Sequence, residues 1–254
     1  MTEATENTAV SRQRIPLVDA LRGVAIVAMV VYHTCWDLYY TGIINTNVIE
    51  DPAWLTFQRS IVVLFLLLVG AGLVLGHGAG IRWPAFWRRF RIVAGAALLT
   101  TVGTAIVFPD YFVYFGILHA IALFSLMGLW FLDKPPALVG LVAALSIFPT
   151  MVWQHPVMAS KALSWIGFWP YPPETTDIVP VFPWFGVVLL GILGTRLLRA
   201  SLVWDWVARQ RLAGPVGVSL RFLGRWSLLI YLLHQPVIFG LVNWIATMLQ
   251  PQVL

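Results

Sequence analysis

Ionisable side chains are scarce in this chain, and several fall inside long apolar runs, where keeping them is costly and usually functional. The richest run reads Val18-Asp19-Ala20-Leu21-Arg22-Gly23, then six apolar residues, then Val30-Val31-Tyr32-His33-Thr34-Cys35-Trp36-Asp37. On a helix, Arg22 and His33 return to one face with about 20° of drift and lie roughly 16 Å apart along the axis. Asp19 with Arg22 (i,i+3) and His33 with Asp37 (i,i+4) are each spaced to meet. A neutral imidazole takes a proton from an attacking hydroxyl or amine. A carboxylate on its second nitrogen fixes the tautomer and stabilises the imidazolium. His33 with Asp37 supplies those parts. The same residues also suit plain helix packing, with His33 hydrogen-bonded across a bundle and Asp37 wet at a helix end.

His119 and His234 also lie well inside apolar runs, in Gly116-Ile117-Leu118-His119 and Tyr231-Leu232-Leu233-His234-Gln235-Pro236. Each suits substrate binding or orientation of the first histidine, and each equally suits an interhelical hydrogen bond worth about 1 kcal/mol. Pro236 predicts a kink that frees carbonyls toward a cavity. Arginines cluster at Arg88, Arg89 and Arg91, and Arg22, Arg221 and Arg225 are expected at the same depth. Their paired donors suit phosphate, although for most of them membrane topology is reason enough. Among the aromatics, Trp36 and Trp184 adjoin polar motifs and are candidates to stack on a sugar ring. The others read as an interfacial belt.

These residues need long apolar elements to hold them. The 254 residues are 59% hydrophobic and only 11% charged, with mean hydropathy +0.83. Soluble domains carry about 25% charged residues, and a water-soluble fold of this size could not hide so much apolar surface. The bilayer is therefore the expected solvent. A spanning helix needs roughly 20 residues. Seven candidates meet that need: Leu17–Tyr40, Phe57–Gly76, Ile92–Phe108, Phe112–Leu132, Ala137–Trp153, Val181–Leu198 and Trp226–Leu249. The fold expected is all-α, a polytopic membrane helix bundle, with residues 1–14 as a disordered cytoplasmic tail and 15–254 as one transmembrane domain. With the N-terminus in the cytoplasm, only Arg59 and Lys161 of the 16 Lys and Arg fall on the outer side, a strong positive-inside signal. Ser201 to Arg211 reads as a helix in the inner interface. His155 to Pro180 reads as an outer loop folded over the mouth of a cavity. The net charge of +5 is topological on this reading and implies no nucleic-acid partner. The lone Cys35 excludes an internal disulfide.

Three stretches resemble a superfamily of transmembrane acyltransferases. Val18 to Gly23 through His33 resembles the Arg-x10-His signature of the acyltransferase-3 family. It also resembles the opening of bacterial relatives of heparan-alpha-glucosaminide N-acetyltransferase. Phe182-Pro183-Trp184-Phe185-Gly186 followed by Leu190-Gly191 is similar to a Pro-Trp-x-Gly segment of the second group. Gly224-Arg225-Trp226-Ser227-Leu228 through His234-Gln235-Pro236 is similar to a late-helix motif of both. Gly116 to His119 is also similar to the second group. The resemblance runs from the first helix to the last.

It implies transfer of an acyl group, usually acetyl, from cytoplasmic acetyl-CoA or another acyl-CoA to a carbohydrate acceptor across the inner membrane. No metal is expected. His33 and Asp37 take the catalytic positions. Arg22, with Arg88, Arg89, Arg91 and Arg225, takes the coenzyme. Trp36, His119, Trp184 and His234 line the acceptor site. Membrane lipid and a second copy of the chain are the other partners considered. Two readings compete: a haem carrier using two of His33, His119 and His234, and a transporter with Asp19, His33 and Asp37 as a proton relay.

Overall fold

The computed structural model describes residues 15–249. The expected tail, residues 1–14, lies outside the described residues, as do 250–254. All regular elements among the described residues are helical: α1 (Pro16–Tyr40), α2 (Pro52–His77), α3 (Trp83–Val107), α4 (Ile117–Leu129), α5 (Pro136–Ile147), α6 (Pro149–Val152), α7 (Val181–Ala200), α8 (Trp204–Arg209), α9 (Pro215–Arg225) and α10 (Ser227–Leu249), with a short 3₁₀ turn at Pro156–Ala159. Proline opens α1, α2, α3, α5 and α9, where its missing N–H costs nothing and its fixed φ suits the first turn. Asp51 caps α2, its Oδ1 accepting from Ala53 N at 2.8 Å and Trp54 N at 3.3 Å.

Among the described residues, five helices, α1, α2, α3, α7 and α10, are long and apolar enough to cross a membrane. The other two expected spans are shorter. Phe112–Leu132 is helical only from Ile117, because Phe112 to Gly116 runs extended against Thr175 to Val179. Val179 N donates to Phe115 O at 3.0 Å, and Thr176 N to Tyr111 O at 2.9 Å. The Ala137–Trp153 run breaks at Phe148-Pro149, leaving α5 with 12 residues and α6 with 4. At 1.5 Å per residue, α4 and α5 each reach about 20 Å, short of a hydrocarbon core of about 30 Å.

The main core joins α2, α4, α5 and α7 through Leu66, Phe124, Val139, Val188, Leu189 and Ile192, all buried. A second cluster centres on Ile26, Met29 and Tyr32 of α1 with Val48 and Ile61. Tyr231 of α10 packs against both, and against a third cluster of Ala96, Ala97 and Leu118. Bilayer helices gain little from hydrophobicity alone and associate through close packing at small residues. Two such contacts fix this bundle. Gly191 of α7 lies on the Leu67 backbone of α2, and Gly224 of α9 lies on the Asp19 backbone of α1. A Cβ at either glycine would overlap the facing main chain. Away from these contacts, α3 and α10 expose Leu98, Ile106, Val237 and Leu241, an apolar surface that suits lipid.

The sequence reading placed no helix over Pro215–Arg225. α9 occupies it, packed on the first turns of α1 and separated from α10 by Trp226 alone. The expected interfacial helix over Ser201 to Arg211 is reduced to α8, six residues long. The segment His155 to Pro180 folds back on its own bundle. Tyr114 Oη and Ser164 Oγ are 2.7 Å apart, Val181 N donates to Trp165 O at 2.8 Å, and Lys161 Nζ donates to Asp110 O at 3.2 Å.

Candidate active site

The Tyr40 half of α1 brings two histidines together. His33 on α1 and His234 on α10 have ring centroids 4.9 Å apart and planes 60° apart. His234 precedes Pro236, which has no N–H for the helix ladder and leaves the Leu232 carbonyl without its usual donor. The His234 Nδ1 lies 2.6 Å from the Tyr231 carbonyl oxygen. A carbonyl can only accept, so Nδ1 carries the hydrogen. In the neutral ring Nε2 then holds the lone pair, and Nε2 is buried with no hydrogen-bond partner.

The expected His33–Asp37 pairing is not what forms. Asp37 is fully buried, and its Oδ1 accepts from Gln235 Nε2 at 2.8 Å. No hydrogen bond joins Asp37 to His33 among the described residues. The i,i+4 spacing permitted that contact, but the neighbouring helix supplies a nearer donor. The expected Asp19–Arg22 pair does form, with Arg22 Nη1 3.4 Å from Asp19 Oδ1.

His119 sits in the first turn of α4. The Thr101 hydroxyl spends its hydrogen on Val113 O at 2.7 Å, so at 3.1 Å it accepts from His119 Nε2. That leaves Nδ1 as the lone-pair atom, again buried and unpartnered. The α4 terminus is held by Asp177, whose Oδ2 accepts from Ile117 N at 2.9 Å. Burial pushes the Asp177 carboxyl up to about 6, against the lowering effect of the Ile117 N–H. Burial also raises Tyr114, despite its Ser164 hydrogen bond.

The opposite half of α1 carries positive charge. Asp19 is buried and pairs with both Arg22 and Arg225, the latter with Nε 3.6 Å from Oδ2. Arg22 points at Gly72 of α2, where a Cβ would come within 3.2 Å of Nη2. Arg22 and Arg89 are near enough to repel each other. Gly72, His77, Arg89 and Ser125 line a cavity of about 30 Å³ beside them, space on the scale of a water or two. Three guanidiniums against one carboxylate leave net positive charge, the condition for an anion site. Arg88, Arg89 and Arg91 are all exposed, and of the three Arg89 alone lines that cavity.

The two candidate stacking aromatics are both half-buried. Trp36 stacks on Tyr40, centroids 5.1 Å apart, while Trp184 packs against the main core just after the cis Phe182-Pro183 bond. No group of three or more His, Cys, Asp or Glu able to hold a metal ion occurs among the described residues.

This layout, with a histidine pair toward one end of α1 and guanidiniums toward the other, coincides with a family match. The family described as heparan-alpha-glucosaminide N-acetyltransferase, catalytic, matches residues 14–236. The chain belongs to that family. Its match takes in α1 to α9 and ends within α10 at Pro236, so Arg22, His33, Asp37, His119 and His234 all fall inside it. Neither a curated protein nor a solved structure matches the chain.

Within this heparan-alpha-glucosaminide N-acetyltransferase family member, His33 and His234, one of the three histidine pairs open to the haem reading, touch ring to ring. The sequence reading assigned no role to Gln235, Tyr231 or Asp177. Gln235 was visible only as the neighbour of His234. Asp177 sits in an irregular loop with no periodicity to mark it.

Proposed function

We propose that this chain transfers an acyl group, most simply acetyl, from acyl-CoA to the amine or hydroxyl of a carbohydrate acceptor. The observation that carries the proposal is the His33–His234 contact, with His33 on the same helix as Arg22, in a chain of this acetyltransferase family. In the proposed step His33 takes the proton from the acceptor as its nucleophile attacks the thioester carbonyl. The carbon–sulfur bond breaks, and the imidazolium returns a proton to the departing thiolate. His234 lies against His33 and offers Nε2 as a second acceptor for the incoming donor group. Arg22, Arg89 and Arg225 would hold coenzyme phosphates, with Arg88 and Arg91 adding to the field around them. The helical rise of roughly 16 Å from Arg22 to His33 suits an extended pantetheine arm. Trp36, His119 and Trp184 would line the sugar.

The positive-inside rule then puts the arginine end in the cytoplasm and the His33 end outside, in the inner membrane. Five full-length helices would cross the bilayer, with α4 and α5 entering it part-way. Lipid would surround the bundle, with the exposed apolar faces of α3 and α10 open to a second copy.

The test is acetyl-CoA binding by calorimetry on detergent-purified protein, followed by transfer of labelled acetyl to a hexosamine. Saturable binding and transfer that disappears in His33→Ala are expected. Full transfer by folded His33→Ala protein would remove the mechanism. No binding of any acyl-CoA by folded wild type would remove the function.

A further inference from the structure

We propose that Asp37 and Gln235 form a two-point acid–amide pair that positions His234 against His33. In it, Gln235 Nε2–H donates to Asp37 Oδ1, and Asp37 Oδ2–H donates to Gln235 Oε1. The first of these bonds is present at 2.8 Å. The second follows from what surrounds it. Asp37 Oδ2 and Gln235 Oε1 are both buried and both without a partner. Each is an acceptor in the carboxylate form, so neither can satisfy the other. One proton on Oδ2 satisfies both.

The neighbours supply no alternative. No ion pair among the described residues includes Asp37. His33 lies one turn back on α1 and His234 adjoins Gln235 on α10, and their rings contact each other; Cys35, Tyr39 and Tyr40 flank Asp37 on its own helix. The Thr41 hydroxyl donates to the Asp37 backbone carbonyl at 2.9 Å. A bare carboxylate buried without a cation is costly in a protein interior and more so in a bilayer. A closed acid–amide ring has no net charge and leaves no polar atom unmet.

The position gives the pair its consequence. Gln235 follows His234 directly, and Asp37 lies one turn beyond His33, so the ring ties α1 to α10 beside the histidine contact. Gln235 is therefore a positioning residue. It acts on His234 through the register of α10, and Asp37 is its anchor. This pair stands whether or not the chain transfers acyl groups; only its kinetic consequence rests on the proposed function.

The test uses the full chain in lipid nanodiscs at neutral pH. The infrared difference between wild type and Asp37→Asn should show loss of a protonated-carboxyl C=O band. In Gln235→Leu that band should persist at higher frequency, because its hydrogen bonds are gone. Loss of carboxylate stretches in Asp37→Asn, with no acid band, overturns the proposal. So does an acid band unmoved in Gln235→Leu, a comparison that survives even if Asp37→Asn fails to fold. Asp37→Asn keeps both contacts, amide for acid, and should unfold within about 3 °C of wild type, the scale of roughly 1 kcal/mol in a domain this size. In a transfer assay Gln235→Leu should lower kcat about tenfold with KM for acetyl-CoA unchanged, a split that a general loss of folded protein would not give. Unchanged kcat overturns the positioning role. Absence of transfer in wild type would count against the acyltransferase reading and leave the infrared result standing.

Discussion

His33 and His234, 201 positions apart in the chain, lie ring against ring at 4.9 Å between centroids. Their contact joins the first helix to the last. It lies beside Pro236, inside α10, and the Tyr231 carbonyl fixes the His234 tautomer.

Replacing His33 with Ala is expected to lower acetyl transfer by about 10²- to 10⁴-fold, the range for a lost general base. Acetyl-CoA binding should stay within about twofold, since the arginines lie roughly 16 Å away. Calorimetry and a labelled-acetyl assay on the same preparation separate the two effects. Loss of binding equal to loss of transfer would place His33 in donor binding instead.

The three neighbouring arginines of α3 should behave differently. Arg22→Ala and Arg89→Ala should each weaken acetyl-CoA binding about tenfold, near the value of one charge-assisted contact. Arg88→Ala and Arg91→Ala should change it by less than about threefold, as for screened surface charges. Calorimetric titration of the four variants decides this, and equal weakening across all four would dissolve the proposed site into a general field.

Gly224 faces the Asp19 backbone directly. Gly224→Val should cost about 3 kcal/mol, at the upper end for overpacking. Gly103→Ala, with nothing within 4 Å of its would-be Cβ, should be neutral or stabilise slightly through helix propensity. Thermal unfolding in one detergent compares them. A stable Gly224→Val protein would mean that α9 does not rest on α1 as described.

Asp177 should tie stability to pH. Its carboxyl is raised to about 6 from the usual 3.8, so the native state holds a proton that the unfolded chain releases. Its contribution to stability is full below about pH 4 and is lost as pH rises through about 6. Asp177→Asn keeps an oxygen for Ile117 N and removes the titration. Its thermal midpoint should exceed that of wild type above pH 7, with the gap closing in acid. A gap independent of pH would show that Asp177 does not titrate in this range.

Long apolar runs made most of this architecture legible. The run beginning at Leu17 ends at Tyr40 as expected, and the run from Val181 begins where α7 begins. Both are set by local composition. Features set by distant partners were not legible. The late start of α4 depends on Asp177, 60 residues downstream. Gln235 takes Asp37 from 198 residues away, which no helical spacing within α1 can anticipate. Arg88, Arg89 and Arg91 are equivalent as a string, and only the packing of α3 turns Arg89 toward the cavity. α9 was missed because it is short and strongly amphipathic, so that it does not read as an apolar span, and a single residue separates it from α10.

The tautomers of His119 and His234 also decide what is welcome near them. Each spends its hydrogen on a neighbour, Thr101 Oγ1 in one case and the Tyr231 carbonyl in the other. Each therefore turns a lone pair toward buried space. A phosphate arriving there would meet electron density and no donor, while a hydroxyl or ammonium would find an acceptor. The guanidiniums at the far half of α1 have the reverse preference. On the proposed function, the two halves of the bundle would therefore ask for ligand groups of opposite polarity.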